Sequence, residues 1–286
     1  MTKEILFVLA CVPLFVVNSF TDKYASSKTG NAYNLQYNLI KFFSGVALML
    51  PMFLLDTQPK FGYGAILCGA LCGVMYTINK TLVLKGYDCT SVAFMTFCHA
   101  SGMIVPCVVG HFFWQEPLGL LALVGIGMTV VSITFLKDSG EKTKKFPLKG
   151  LLYGAAIFLS SGGVMIAQKT MGLYFADQSI GAYNWYSFVV AALLIGMFSK
   201  KKKVEAGSRK IIGVCAVLNA VALCTISMVM TSVSGKIPAA LMFPMFNGAG
   251  ILLASICAIF FFQEKMTVKR VIGLVLGIGG LCLINI

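Results

Sequence analysis

The strongest constraint on this chain is that it repeats itself at about half its length. Residues 90–136 and 238–284 align without a gap at a separation of 148 residues. The alignment sets Gly102, Phe112, Phe113, Gln115, Glu116 and Gly125 on Gly250, Phe260, Phe261, Gln263, Glu264 and Gly273. Each copy reads as an apolar helix with an aromatic end, a Gln-Glu turn, and a second apolar helix bearing a glycine. A further echo, Ala32-Tyr33-Asn34 against Ala182-Tyr183-Asn184, falls 150 residues apart. Self-similarity at a fixed period outranks local detail, so the chain is read first as two related halves.

The medium in which those halves fold follows from hydropathy. With 58% hydrophobic residues and a mean hydropathy of +0.87 over 286 residues, too little polar surface exists to cover a water-soluble globule. In hydrocarbon only helices or closed barrels satisfy every backbone group, and these apolar runs are continuous rather than alternating, which selects helices. Runs long enough to cross a bilayer fall near residues 5–20, 32–55, 61–84, 91–113 and 118–136, then 148–171, 180–198, 210–230, 237–262 and 268–286. The expected fold is therefore an all-α integral membrane protein of ten transmembrane helices. It divides into a first five-helix repeat at residues 1–137, a charged linker at 138–147 and a second repeat at 148–286. Residues 1–20 have the basic start of a signal peptide but no small-residue cleavage pattern, and are read as the first span.

Five is odd, so the second repeat enters the membrane in the opposite sense to the first. Inverted repeats are a hallmark of secondary transporters, in which two related halves exchange conformations around a site at their interface. The formal charge of +13 does not point to nucleic acid, because most of the 23 Lys and Arg lie in short loops. Seventeen follow odd-numbered spans and four, Lys3, Lys60, Lys169 and Lys236, lie on the opposite face. By the positive-inside rule that imbalance puts both termini outside. The run Lys200 to Lys203 is read mainly as part of this retention signal, with a lipid-phosphate patch as the other reading. Most of the ten cysteines sit inside apolar runs as small hydrophobes. Cys68 and Cys72 share a helix face but do not make a closed metal site, and no cofactor is expected. Gly69-x-x-x-Gly73 and Gly273-x-x-x-Gly277 are read as packing faces, between halves or between protomers. Pro106 and Pro244 are expected bending points.

The two remaining cations, Lys41 and Lys80, fall inside spans. Intramembrane ionisable groups are costly and normally face a cavity or a partner. Asn34, Asn38 and Lys41 recur at helical spacing, while Lys80 follows Asn79 one turn beyond Tyr76. Either these lysines attract an anionic group in a cavity, or Lys41 pairs with a loop acid and Lys80 snorkels. His99 and Asn247 occupy equivalent mid-span positions in the two repeats. They could face one another across a central site, where His can also carry a proton. Tyr37, Asn184 and Trp185 near the starts of spans two and seven, and Asn219 in span eight, complete the candidate substrate contacts; Trp185 reads equally as an interfacial aromatic. The acidic residues, Asp22 among them, fall at span ends or in loops. That placement disfavours a cationic-drug exporter driven by a buried acid. Glu116 and Glu264 are expected to open the helices that follow them, at the positive end of the dipole. No nucleophile-base pair, phosphate loop or metal-ligand spacing suggests an enzyme.

At its Gln-Glu turns, Phe112 to Gly125 and Phe260 to Gly273, the chain resembles the drug/metabolite transporter (DMT) superfamily, in particular its ten-span EamA-type members. Asn79-Lys80-Thr81-Leu82 is also similar to the corresponding stretch of sugar-phosphate and nucleotide-sugar relatives. The resemblance implies a basket of ten helices around a central cavity and alternating access for a small metabolite. It also implies cytoplasmic termini, against the lysine count. The chain is thus expected to be a multi-pass transporter of the bacterial inner (plasma) membrane, monomeric or homodimeric. Its cargo is expected to be a small polar metabolite with an anionic group, such as an amino acid or phosphorylated compound. The alternative is a flippase for a lipid headgroup or polyprenyl phosphate; nucleic acid is not an expected partner.

Overall fold

The computed structural model describes residues 2–29, 33–89, 92–116, 119–136, 148–199, 206–262 and 268–284, and every regular element among them is helical. Span one is α1 (Thr2–Ala10) with α2 (Val12–Thr29); spans two and three are α3 (Asn34–Leu55) and α4 (Tyr63–Cys89). Span four is α5 (Val92–Ser101) with α6 (Ile104–Phe113), and span five is α7 (Leu120–Leu136). The second half runs α8 (Leu148–Tyr174), α9 (Ile180–Phe198), α10 (Ala206–Ser234), α11 (Ala239–Phe262) and α12 (Val268–Ile284). Six spans are long and apolar enough to cross a bilayer outright, and four shorter apolar helices complete the ten. The linker 138–147, Lys200 to Lys203 and the Gln263-Glu264 turn lie outside the described residues.

The breaks have local causes. Span one is interrupted at Cys11, two residues before Pro13, and span four at Gly102–Met103, just before Pro106. Proline has no N–H to return to the carbonyl four residues back and its ring crowds that carbonyl, which for Pro106 is Gly102. By contrast α11 continues through Pro244.

The packing carries the signature of the repeat. Span three packs on span six and span eight on span one; span two on span eight and span seven on span three; span four on span six and span nine on span one. Spans two and seven, and five and ten, pair with their own counterparts. Exchanging the halves maps each of these pairs onto another of them, as a pseudo-two-fold relation between the repeats requires; the odd number of spans per repeat places that axis in the membrane plane. The protein is two inverted five-helix repeats whose helices interleave.

Lipid offers no hydrophobic drive for helices to associate, so close approach must come from small residues. At the α4–α9 crossing, a Cβ on Gly69 would lie 2.7 Å from the Tyr183 carbonyl oxygen, and one on Gly73 would lie 2.6 Å from that of Ser187. On the opposite flank, Gly277 meets Ser132 and Gly280 meets the Gly125 carbonyl, closing α12 onto α7. Close packing between the halves therefore uses glycine on both flanks. The outward faces, with Leu54, Leu67, Leu123, Leu152, Leu193 and Val275 exposed, are the apolar surface a bilayer covers.

Replacing Gly73 by Leu should push α4 off α9 and destabilise the fold by about 1–3 kcal/mol. Gly127→Leu, at a position where a Cβ meets nothing within 4 Å, should leave the apparent melting temperature in detergent unchanged.

Candidate functional site

Charged side chains gather at two depths, one at the face carrying the termini and one inside the spans toward the opposite face. The face carrying the termini and the loops after even-numbered spans is bridged by bonds between the halves. There α6 ends through Gln115, whose φ of 53° lies in the left-handed region, a common way for a helix to stop. That turn swings Glu116 across to the other half. One carboxylate oxygen accepts the Ala239 N–H at 2.6 Å, at the start of α11, and the other pairs with Lys169 Nζ at 2.6 Å. Lys169, 1% exposed, also donates to the carbonyl oxygens of Ser234 and Ile237, both at 2.6 Å. Sequence order alone puts Glu116 at the head of its own following helix. The structure corrects this: the dipole end it neutralises belongs to α11 of the opposite repeat.

Beside it, Asp56 caps α3 and reaches the start of α9, accepting from Ser179 Oγ at 2.6 Å and from the Gly181 N–H at 3.4 Å. In the reverse direction, Gln178 Oε1 accepts the Ala65 N–H at 2.9 Å in the first turn of α4. Burial works against the charged form of Asp56. The hydrogen bonds from Ser179 and the N–H groups of Gln58 and Gly181, together with the charge of Lys60, outweigh it and hold the carboxyl below its ordinary 3.8.

The second cluster lies toward the lysine-rich face. Lys41 is seven residues along α3, about 10 Å of helix rise from Asn34. It is 1% exposed, with Nζ 5.1 Å from the Tyr37 ring centre. It faces Asp22 of α2: Lys41 Nζ is 3.6 Å from Oδ1, and Lys80 Nζ, from α4, is 3.8 Å from Oδ2. The Asn219 amide nitrogen of α10 lies 2.8 Å from Thr21 Oγ1, 2.9 Å from the Asn18 carbonyl and 3.1 Å from Asp22 Oδ1. The ring of His99 is within electrostatic reach of Lys80 and Asp22. Lys41 is sealed, yet Asp22 keeps 38% and Lys80 25% of its side chain accessible. Asp22 and Lys80 are thus the more exposed edge of a group built from α2, α3, α4 and α10, which among the described residues holds two cations to one anion.

Four sequence candidates thus meet: Tyr37, Lys41, Lys80 and Asn219, with His99 near. Others are engaged elsewhere. Tyr76 packs between Phe42 and Phe188, and Trp185 against Phe53 at 4.7 Å between ring centres. Asn79 donates to the Ile157 carbonyl and Ser160 Oγ across the halves. Asn184 accepts from Ser227 Oγ, which also receives Gln168 Nε2. Asn247 returns its amide to the Phe243 carbonyl of its own helix and shares no described bond with His99; Asn34 is buried. Sequence reasoning misses Asp22 as a site residue, because it reads as a span end. A signal is present all the same, since Asn18, Thr21 and Asp22 fall at i, i+3 and i+4 and form one polar face. Lys169 lies two residues inside the end of its apolar run and reads as an end-of-span charge, and nothing in its local sequence names its partners. Among the described residues no group of three or more His, Cys, Asp and Glu converges to hold a metal.

The model of the EamA-like transporter family matches residues 2–137 and 148–286. The chain belongs to that family. It is accordingly a multi-pass integral membrane transporter of the DMT superfamily; members of the EamA family are transporters, not enzymes. A solved structure described as "Crystal structure of protein" superposes with a TM-score of 0.75 at 13% identity, over 99% of this chain and 96% of that one. At that identity the likeness shows a shared fold. No curated protein sequence matches the chain.

Glu116→Gln or Lys169→Met alone should cost about 3–5 kcal/mol by leaving a buried charge or donor unmatched, and the double variant less than their sum. A double-mutant cycle on thermal unfolding measures the difference. For Asp56, a depressed pKa contributes stability that is present above the ordinary 3.8 and lost as pH falls through the lower folded value. Acidification below about pH 4 should destabilise wild type more steeply than Asp56→Asn, in melts taken between about pH 3 and pH 6.

Proposed function

We propose that this EamA-family transporter is a secondary carrier for a small polar metabolite bearing an anionic group, such as an amino acid or a phosphorylated compound, working by alternating access in the plasma membrane. The observation that carries the reading is the accessible pair Lys41 and Lys80. Two cations from different spans share one carboxylate at a depth where charge is costly, and neither bonds the halves together as Lys169 does. An excess positive charge within reach of solvent, in low-dielectric surroundings, attracts an anion far more strongly than a surface lysine would. Lys41 and Lys80 take the anionic group, with Tyr37, His99 and Asn219 as further contacts.

The contrast between the two faces supports alternating access. Glu116, Asp56 and Gln178 each bond across the repeats on the terminal face, closing it. The lysine group lies toward the other face and keeps its accessible edge. By the positive-inside rule that face is cytoplasmic, so this conformation corresponds to a carrier open inward. Exchange of roles between the inverted halves gives the opposite opening.

Purified protein in proteoliposomes, tested by counterflow against labelled amino acids, sugar phosphates and nucleotides, should accumulate one of these classes. Lys41→Ala and Lys80→Ala should each lower that flux by about tenfold or more, the factor expected for losing about 1.4 kcal/mol or more of interaction with the charged group. Flux untouched by Lys41→Ala and by His99→Ala would remove the anionic site from the account.

A further inference from the structure

We propose that Asp22 is a built-in stand-in for the substrate's anionic group, holding Lys41 and Lys80 while the carrier is empty and giving them up when an external carboxylate or phosphate arrives. This rests on the carrier reading and adds to it a residue that sets affinity and governs the return of the empty carrier. Along the chain Asp22 is only a span-end acid; its place between the lysines is a product of the fold.

The molecule itself supplies the comparison. In the Glu116–Lys169 pair, nitrogen and oxygen are 2.6 Å apart, and the carboxylate keeps 15% of its side chain accessible. That is a short charge-assisted hydrogen bond. Asp22 is set differently. Its two oxygens face two different lysines at 3.6 and 3.8 Å, and 38% of the side chain is accessible. Both separations are too long for hydrogen bonds, so attraction persists without geometric locking. The Asn219 amide, on the opposite repeat, donates to Oδ1 at 3.1 Å, while Oδ2 faces Lys80 at the more exposed edge of the group. Asn219 Oδ1 is buried and has no hydrogen-bond partner among the described residues.

An alternating carrier must seal its site from both faces whether loaded or empty. Two unneutralised ammonium groups sealed in low dielectric oppose that step. With Asp22 between them the empty site closes as two cations and one anion. With a substrate anion present, Lys80, the more exposed cation, is met first, and Lys41, sealed over the Tyr37 ring, second. An intramolecular competitor lowers apparent affinity by the fraction of time the site is free. Removing its charge should therefore tighten anion binding while slowing return of the empty carrier.

The test uses the full chain and orthophosphate as the probe, at constant ionic strength. By thermal shift in detergent, Asp22→Asn and the smaller Asp22→Ser should both bind orthophosphate about tenfold more tightly than wild type, as expected if Asp22 occupies the lysines about nine-tenths of the time. Asp22→Asn combined with Lys41→Met should lose that gain. In proteoliposomes, Asp22→Asn should lower the ratio of net efflux into solute-free buffer to solute exchange about tenfold, because the empty form returns more slowly. If Asp22→Asn binds orthophosphate no better than wild type, or keeps the wild-type ratio of net efflux to exchange, the stand-in role is wrong and the carrier reading stands. If wild type moves no solute of any class, the carrier reading fails first. Loss of a monodisperse fold in both neutral variants would overturn the proposal as well, since a stand-in is dispensable to the structure.

Discussion

The rest of this structure depends on the cost of leaving charge unmatched in hydrocarbon. Lys169 is buried to 1% and answers that cost with three oxygens, one from Glu116 and two from carbonyls around the α10–α11 connection. These partners come from both repeats, so the ion pair matters less as a source of energy than as a fixed geometry joining α6, α8, α10 and α11. A buried pair of this kind contributes little over an apolar substitute, but removing one member is costly. The carboxylate of Glu116 also neutralises the α11 dipole, so a single side chain satisfies a cation and a helix start at once.

Lys41 and Lys80 respond to the same cost without a lock. Their shared carboxylate stands farther from each of them, is partly accessible and accepts from the Asn219 amide. One fold thus contains a tight ionic contact at the face carrying the termini and a looser one toward the opposite face. Close helix approach makes the arrangement stiff enough to matter. The Gly69 and Gly73 face lets α4 lie directly on the backbone of α9, and two turns further along the same helix Lys80 turns to Asp22 of its own repeat.

The repeat, the ten spans and their inverted order are legible in the chain, since each follows from local hydropathy and from counting. Helix α9 has the bounds that its apolar run indicates, and the break before Pro106 follows from covalent chemistry that any sequence displays. Lys41 and Lys80 are legible as unusual, because a cation in an apolar run is visible without coordinates. What no local pattern decides is which partner a long side chain finds. Asp22 reads as a span end until α3, α4 and α10 are brought around it; Lys169 reads as a topology signal until α6 and α11 close on it; Glu116 reads as the start of its own helix until Gln115 turns it toward another.

Composition and period depend on neighbours along the chain, and so the sequence by itself determined the architecture. The matching of buried charges depends on neighbours across the fold. Lys169 meets a carbonyl 65 residues further on, and the Asp22 carboxylate meets an amide 197 residues away. At such separations a side chain's partner is set by how helices pack, so only the tertiary structure decided those pairings.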